Sequence, residues 1–463
     1  MVEELDVLVI GAGAAGEAAG TLGAELGGRV AVVERDLFGG QCSFWACLPS
    51  KTLLDAAHRR ALGADYPWER AAARRDWMIS REKIDYPDDA NHVQRLESAG
   101  ARIVRGEARI VGPGRIEVRR DGENPQTLGA QGVIVAVGSH PVIPRIEGLE
   151  EAGYWTSNDG TSSRDLPSSI IVLGGGPVGV ELAQVYARFG VRTSIVQGGE
   201  RILPRDHPKS SEVLTEQLRG EGVEIRTGVH GVRARRGGAG RILELSDGSM
   251  VEGAELLVAV GRRPADLREL GTEEAGAALG PRGEVEPDAQ MRVADGLYIA
   301  GDCAGGMQFT HVADYEGRIA VRAALGKDAK ADLSAIPRTT FTDPETAAVG
   351  LTIDEAWYLG LDAFEETMDF ATTSRGFTIE PTVPQGDGFS GSPGHVTTVV
   401  DREHGTLVGA FAACPGASEL INEAALAIKL GASVGTVADS IHAYPTAARV
   451  LAGVCAAADL KLR

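Results

Sequence analysis

A pattern of strand, glycine turn, helix and strand occurs twice in this sequence, and each copy dictates the fold around it. In the first, the apolar, β-branched run Asp6–Ile10 leads into Gly11-Ala-Gly-Ala-Ala-Gly16. An Ala-rich helix to about Leu26 follows, then the strand Val30–Val33, ending at Glu34. In the second, Ser169–Leu173 leads into Gly174-Gly-Gly-Pro-Val-Gly179, then the helix Val180–Phe189 and the strand Arg192–Val196, with Gln197 at its end. Glycines at this spacing allow a tight turn and close approach of a pyrophosphate to a helix N-terminus. One such motif alone is weak evidence, but here each stands in its whole context. Glu34 is placed to bind a ribose hydroxyl. A carboxylate in place of Gln197 would repel a 2′-phosphate; the amide does not, and Arg201 lies nearby. The reading therefore leans to NADPH over NADH, with use of both allowed.

Between the two copies lies Gly39-Gly-Gln-Cys-Ser-Phe-Trp-Ala-Cys-Leu-Pro-Ser-Lys51. If Cys42 starts a helix, Cys47 falls a little over one turn later, with both sulfurs roughly on one side. A helix N-terminus favours a thiolate, and Lys51 adds a positive charge one turn after Cys47. Buried packing is the ordinary use of cysteine, but a dinucleotide motif just upstream supplies what redox-active cysteines need, an electron source.

The chain of 463 residues exceeds one core, so two to four domains are expected. A net charge of −19 argues against nucleic acid or an anionic membrane as partner. No apolar run reaches membrane-spanning length. Met1–Asp6 is acidic and runs directly into a strand, so no secretory leader is expected. Five cysteines do not make a disulfide framework in a chain this long, and a reducing cytoplasm is the expected compartment. No second Cys/His pair has zinc-ligand spacing, so no metal site is expected.

Along the chain, Thr52–Ala99 reads as helical and charged, with Trp68 and Trp77 as packing residues. Val104–Val118 reads as short strands around a Gly-Pro-Gly turn, and Gly132–Val137 as a buried strand ending in Gly138-Ser139. Leu256–Val260 and Gly261-Arg-Arg-Pro264 close the second nucleotide unit. Gly296–Ala300 is a strand ending at Gly301-Asp302, where an acid meets a ligand, caps a helix, or does both. From Pro337 the pattern changes to alternating segments such as Thr397–Val400 and Leu407–Ala412, an antiparallel sheet. An amphipathic helix, Glu419–Leu430, then Ile441-His-Ala-Tyr-Pro-Thr446 and a final Ala-rich helix complete the chain.

Together these residues resemble the flavoprotein disulfide reductases with two dinucleotide-binding domains, the family of dihydrolipoamide dehydrogenase, glutathione reductase and mercuric reductase. The resemblance covers nearly the whole chain. It implies an α/β fold: two Rossmann-like domains, for FAD and NAD(P), plus a C-terminal α+β dimerisation domain. The expected division is 1–150 and 281–335 for FAD, 151–280 for NAD(P), and 336–463 for the dimer interface. It implies FAD at Gly11, Gly13, Gly16, Glu34 and Asp302, and a nicotinamide nucleotide at Gly174, Gly176, Gly179 and Glu181. Gly40, Lys51, Gln197, Arg201 and Gly261 complete the expected cofactor contacts. Cys47 would be the flavin-side sulfur, Cys42 the interchange sulfur, and Lys51 would pair with Glu181. A homodimer that reduces a small-molecule acceptor is implied.

Two departures stand out. The family's C-terminal His and Glu are Tyr444 and Arg449 here, and an ordinary tyrosine is a poor base at neutral pH. His442, on the same face of an extended segment, is the candidate substitute. Between the cysteines, Ser43-Phe44-Trp45-Ala46 replaces the usual Leu-Asn-Val-Gly, so two aromatics either pack or line the acceptor site. Mercuric reductase-like members also carry a tyrosine, generally with a C-terminal cysteine pair. Cys455 is single, and Cys303, Cys414 and Cys455 read as structural. The expected activity is electron transfer from NAD(P)H through FAD and a Cys42–Cys47 disulfide to a small disulfide or thiol-reactive acceptor. The alternatives are a quinone-type flavin reductase, a metal-ion reductase, and a non-enzymatic redox sensor.

Overall fold

The computed structural model describes residues 4–80, 87–238, 240–384 and 390–463. The chain forms two compact units. The first takes the residues through Pro49, Ala73–Val142 and Gly261–Asp332; the second takes Ser50–Ala72, Ile143–Val260 and Leu333–Arg463.

In the first unit the glycine-turn strand, Glu4–Ile10, is central. It pairs in parallel with Val30–Glu34 on one side and Gln126–Val135 on the other, with Ile10 opposite both Val33 and Val135. Arg102–Arg105 extends one edge and Leu297–Ile299 the other. Val7, Val9, Val32, Ile134 and Ile299 are buried in one core. These strands read as near-continuous apolar runs because helices cover a parallel sheet. Helices Ala14–Glu25 and Thr310–Ala324 approach so closely that a Cβ on Gly317 would lie 2.2 Å from the Ala15 carbonyl oxygen.

The second unit holds a four-stranded parallel sheet in the order Glu224–Thr227, Arg192–Gln197, Ser169–Leu173 and Glu255–Val258. A separate five-stranded antiparallel sheet runs Arg338–Thr340, Thr346–Gly350, Leu407–Ala413, His395–Asp401, Ala363–Asp369. Helices Ala417–Lys429 and Ala447–Leu462 share the core of this sheet.

Some expected boundaries move. The nucleotide unit expected to run to 280 ends at Val260, because Arg262–Pro264 pairs antiparallel with Ser139–Pro141 inside the first unit. Ser50–Ala72 joins the second unit, where Leu53, Ala57 and Trp68 pack with Val180, Tyr186 and Phe189. The expected helical stretch Thr52–Ala99 resolves into Cys47–Ala61, Trp68–Ser80 and Ala90–Ala99; residues 81–86 lie outside the described residues. Trp68 is buried, with its indole N–H on the Arg164 carbonyl, whereas Trp77 is 40% exposed. Among the described residues no helix is long and apolar enough to cross a membrane.

Candidate active site

The two glycine turns are built alike. Gly11 and Gly174 have φ of +98° and +115°, and a Cβ on either would meet the carbonyl oxygen of Ala136 or Ala259 at 2.4 Å. A Cβ on Gly16 or Gly179 would fall 1.8 or 2.0 Å from the carbonyl oxygen of Gly11 or Gly174. By contrast, nothing lies within 4 Å of a Cβ placed on Gly13 or Gly176, the caps of the two helices. The space beside each of these two cap glycines is thus open, which suits close approach of a pyrophosphate. At the strand ends, Glu34 Oε2 accepts the Ala12 N–H at 2.7 Å and Gln197 Oε1 accepts the Gly175 N–H at 2.9 Å. Gly40, at φ +61°, would meet Gly13 Cα at 2.7 Å through any Cβ, so it lies against the first turn. Gly261 accepts the Val142 N–H through its carbonyl.

Asp302 does not cap a helix: Gly301 precedes a short 3-10 turn, Asp302–Ala304, that has no side-chain cap. Instead Asp302 Oδ2 accepts the Ser139 hydroxyl at 2.5 Å, and Arg262 donates to both Ser139 Oγ and its carbonyl. Behind them, the buried Glu316 accepts the Gly301 N–H at 2.8 Å. Burial, aided by the Asp302 charge and against that hydrogen bond, pushes the Glu316 carboxyl up to about 7.

The cysteines stand on two helices rather than one. Gly40–Phe44 is a single turn, and Trp45, at φ −130°, ends it; Cys47 then starts Cys47–Ala61. Gly39, at φ +108° with its N–H on the Ala12 carbonyl, starts the short turn, and the buried Phe44 is its last residue. Pro49 falls in the first turn of the longer helix, where its missing N–H costs nothing. No disulfide joins the two sulfurs in this structure. The hydrogen bond to Cys47, then burial, pushes the Cys42 thiol up. Cys47 has a helix N-terminus of its own, and its Sγ lies 3.2 Å from the Thr310 hydroxyl. A helix N-terminus and a hydroxyl beside Cys47 both suit a thiolate there.

Lys51, one turn along the same helix, does meet Glu181. Its Nζ lies 2.7 and 3.0 Å from the two carboxylate oxygens, and one of them also accepts the Phe341 N–H at 2.9 Å. Cys303, Cys414 and Cys455 are buried, and burial raises all three thiols, Cys303 and Cys455 to about 12.

Other expectations change. Arg201 is not free for a 2′-phosphate: its guanidinium donates to the carbonyls of Leu203, Pro204 and Asp206, bracing that turn. His442 is not presented as a free base. Its Nδ1 lies 2.8 Å from the Ser440 carbonyl, its Nε2 is 2.6 Å from Glu423, and its side chain is 7% exposed. Tyr444 is 72% exposed. Phe44 is a core side chain and not an acceptor contact. The sequence reading missed Thr310, Glu316 and Phe341. Thr310 carries a signal, as the first residue of a helix after the Gly-Asp strand end; Phe341 contributes only a backbone N–H and carries none. Among the described residues no group of three or more His, Cys, Asp or Glu side chains is arranged to hold a metal ion.

Comparison with known proteins agrees with this geometry. Residues 5–317 match the pyridine nucleotide-disulphide oxidoreductase model, and residues 336–453 match the dimerisation domain of the same family, which supports a homodimer. The chain is 34% identical to a dihydrolipoyl dehydrogenase of Bacillus subtilis, covering 96% of this chain and 94% of that one. It is 32% identical to a mercuric reductase of Acidithiobacillus ferrooxidans, covering 96% and 81%. Among solved structures, the Cu(II) complex of the HOCl-induced flavoprotein disulfide reductase RclA from Escherichia coli aligns at a TM-score of 0.86 and 25% identity, over 98% of this chain and 100% of that one. With two nucleotide turns, a dithiol segment and a matching dimerisation domain, this chain belongs to the pyridine nucleotide-disulphide oxidoreductase family, enzymes that bind FAD and NAD(P)H.

Proposed function

We propose that Cys42 and Cys47 deliver the two electrons of NAD(P)H to a small disulfide or related thiol-reactive acceptor. The observation that carries this reading is the dithiol itself: Cys42 hydrogen-bonded to Cys47, and Cys47 on a helix N-terminus against Thr310. Bound FAD supplies the two-electron relay between nicotinamide and cysteines. Gly11, Gly13, Gly16, Glu34, Gly40 and Asp302 would hold it, and Gly174, Gly176, Gly179 and Gln197 would hold the nicotinamide nucleotide. With Arg201 committed to its own turn, NADH and NADPH are both expected to serve.

The reduced pair then works by thiol–disulfide exchange. Cys42, once deprotonated, attacks one acceptor sulfur; the other leaves and takes up a proton. Cys47 thiolate next attacks Cys42, restoring the Cys42–Cys47 bond and releasing the second acceptor sulfur as a thiolate, which takes a proton from solvent. Two electrons and two protons reach the acceptor in all. Lys51 stays fixed through Glu181. In the dimer, Tyr444 is the group we place at the acceptor as a hydrogen-bond donor or acid.

A soft metal ion is the second reading. It is favoured by Tyr444 at the usual His position, and by the neighbouring RclA structure, which was solved as a Cu(II) complex. Replacing Cys42 by Ser discriminates. Disulfide turnover should be abolished while quinone reduction by NAD(P)H survives; retained disulfide turnover would refute the proposal. Cu(II)- or Hg(II)-dependent NAD(P)H oxidation exceeding that with every disulfide tried would move the assignment to the metal-ion reading.

A further inference from the structure

The segment between the cysteines is held from an unexpected direction. Phe44 is 1% exposed, and its ring centroid lies 5.6 Å from that of His92, at an interplanar angle of 59°. His92, on helix Ala90–Ala99, is itself fixed: its Nδ1 lies 2.7 Å from Glu17 Oε1, in the first turn of the dinucleotide helix. The same imidazole fills the place of a side chain at Gly39, where a Cβ would fall 2.7 to 2.9 Å from three ring atoms. One histidine ring thus touches both ends of the Cys42 turn, and one carboxylate pins that ring.

We propose that Glu17 and His92 are positioning residues for the Cys42–Cys47 couple, setting how readily its disulfide forms; this rests on the redox role proposed above. The helix carrying Cys42 is five residues long. A single turn is not stable by itself, so its place is set by what grips its ends. A disulfide tolerates only a narrow range of Cα separations and Cβ directions, whereas two thiols tolerate many. Loosening the grip therefore penalises the disulfide more than the dithiol. Phe44, Glu17 and His92 act together, which explains why an aromatic stands between the cysteines without facing the acceptor.

The test equilibrates the flavin-loaded protein with mixtures of glutathione and its disulfide. Cys42 and Cys47 lose two electrons and two protons and gain one S–S bond, while glutathione disulfide becomes two thiols. The fraction oxidised is read by thiol alkylation and mass spectrometry. Glu17→Gln, which keeps size and shape, and His92→Ala should each lower the equilibrium constant for disulfide formation about tenfold, a shift of about 30 mV to more positive potential. His92→Phe, which restores a ring without the Glu17 contact, should recover part of it. An equilibrium constant within twofold of the parent in Glu17→Gln and His92→Ala, with flavin retained, would overturn the proposal. If His92→Ala does not fold, Glu17→Gln decides alone. A parent protein that forms no Cys42–Cys47 disulfide in any mixture would instead refute the underlying redox reading.

Discussion

Lys51 Nζ touches both carboxylate oxygens of Glu181, and one of those oxygens also accepts the Phe341 N–H. Glu181 is therefore two things at once, a counter-ion for Lys51 and the acceptor of the Phe341 backbone N–H. Its side chain is 6% exposed against 34% for Lys51, so the pair is only partly screened by water. Glu181→Gln removes the charge but keeps an acceptor for Phe341; Glu181→Ala removes both. Urea unfolding should find the Ala variant less stable than the Gln variant by about 1 kcal/mol. Both should slow flavin reduction by NAD(P)H, because Lys51 loses its fixed position.

Asp343 supplies a pH test in the second unit. Its carboxylate accepts from Arg188 at 2.8 Å and lies 3.1 Å from His58 Nδ1. Burial acts to raise its carboxyl, but the His58 hydrogen bond and the Arg188 charge outweigh that and bring it down to about 2. A folded value below the unfolded one adds stability that is full above about pH 4 and is lost as pH falls toward 2. Asp343→Asn should cost about 2 kcal/mol at pH 6 and roughly half of that at pH 3, read from urea midpoints at the two pH values.

Glu316 has the opposite sign. Its carboxyl, raised by burial to about 7, takes up a proton on folding between about pH 4.5 and pH 7. Stability contributed by the protonated group is therefore lost as pH rises through that window. Glu316→Gln stays neutral and still accepts the Gly301 N–H. It should stabilise the protein by roughly 2 kcal/mol more at pH 8 than at pH 5, visible as a Tm difference that widens with pH.

How much of this was legible beforehand differs by residue. Gly11, Gly16, Gly174 and Gly179 could be read because their constraint is local: a Cβ would strike backbone only a few residues away or across one strand. The Lys51–Glu181 pair came from the family pattern, and the structure brings the two together. What could not be read were contacts between distant segments. Nothing in Ser43-Phe44-Trp45-Ala46 says that His92, 48 positions after Phe44, will pack against it. Nor does the spacing of Arg201 from Gln197 reveal that three carbonyls claim its guanidinium. A single helix through both cysteines is not formed because the chain leaves helical geometry at Trp45, directly after the buried Phe44.

Tyr444 separates folding from chemistry. It is 72% exposed, so Tyr444→Phe should leave unfolding free energy within about 0.5 kcal/mol of the parent. If its hydroxyl serves as acid for the departing thiolate, disulfide turnover should fall ~10²-fold in the same variant. Stopped-flow turnover beside a thermal melt checks both. Replacing His442 by Asn should break the Glu423 pair and lower the Tm, with kcat changing far less than in Tyr444→Phe.

In the proposed mechanism Cys47 stands between the nicotinamide's electrons and the acceptor. Anaerobic titration of the flavin-loaded protein with NADPH, and in parallel NADH, followed by visible absorption, tests it most directly. A long-wavelength band is expected after two electrons, produced by Cys47 thiolate against oxidised flavin, and it should be absent in Cys47→Ser. Direct bleaching of the flavin with no such band in the parent protein would place the cysteines outside the electron path and refute the proposed mechanism.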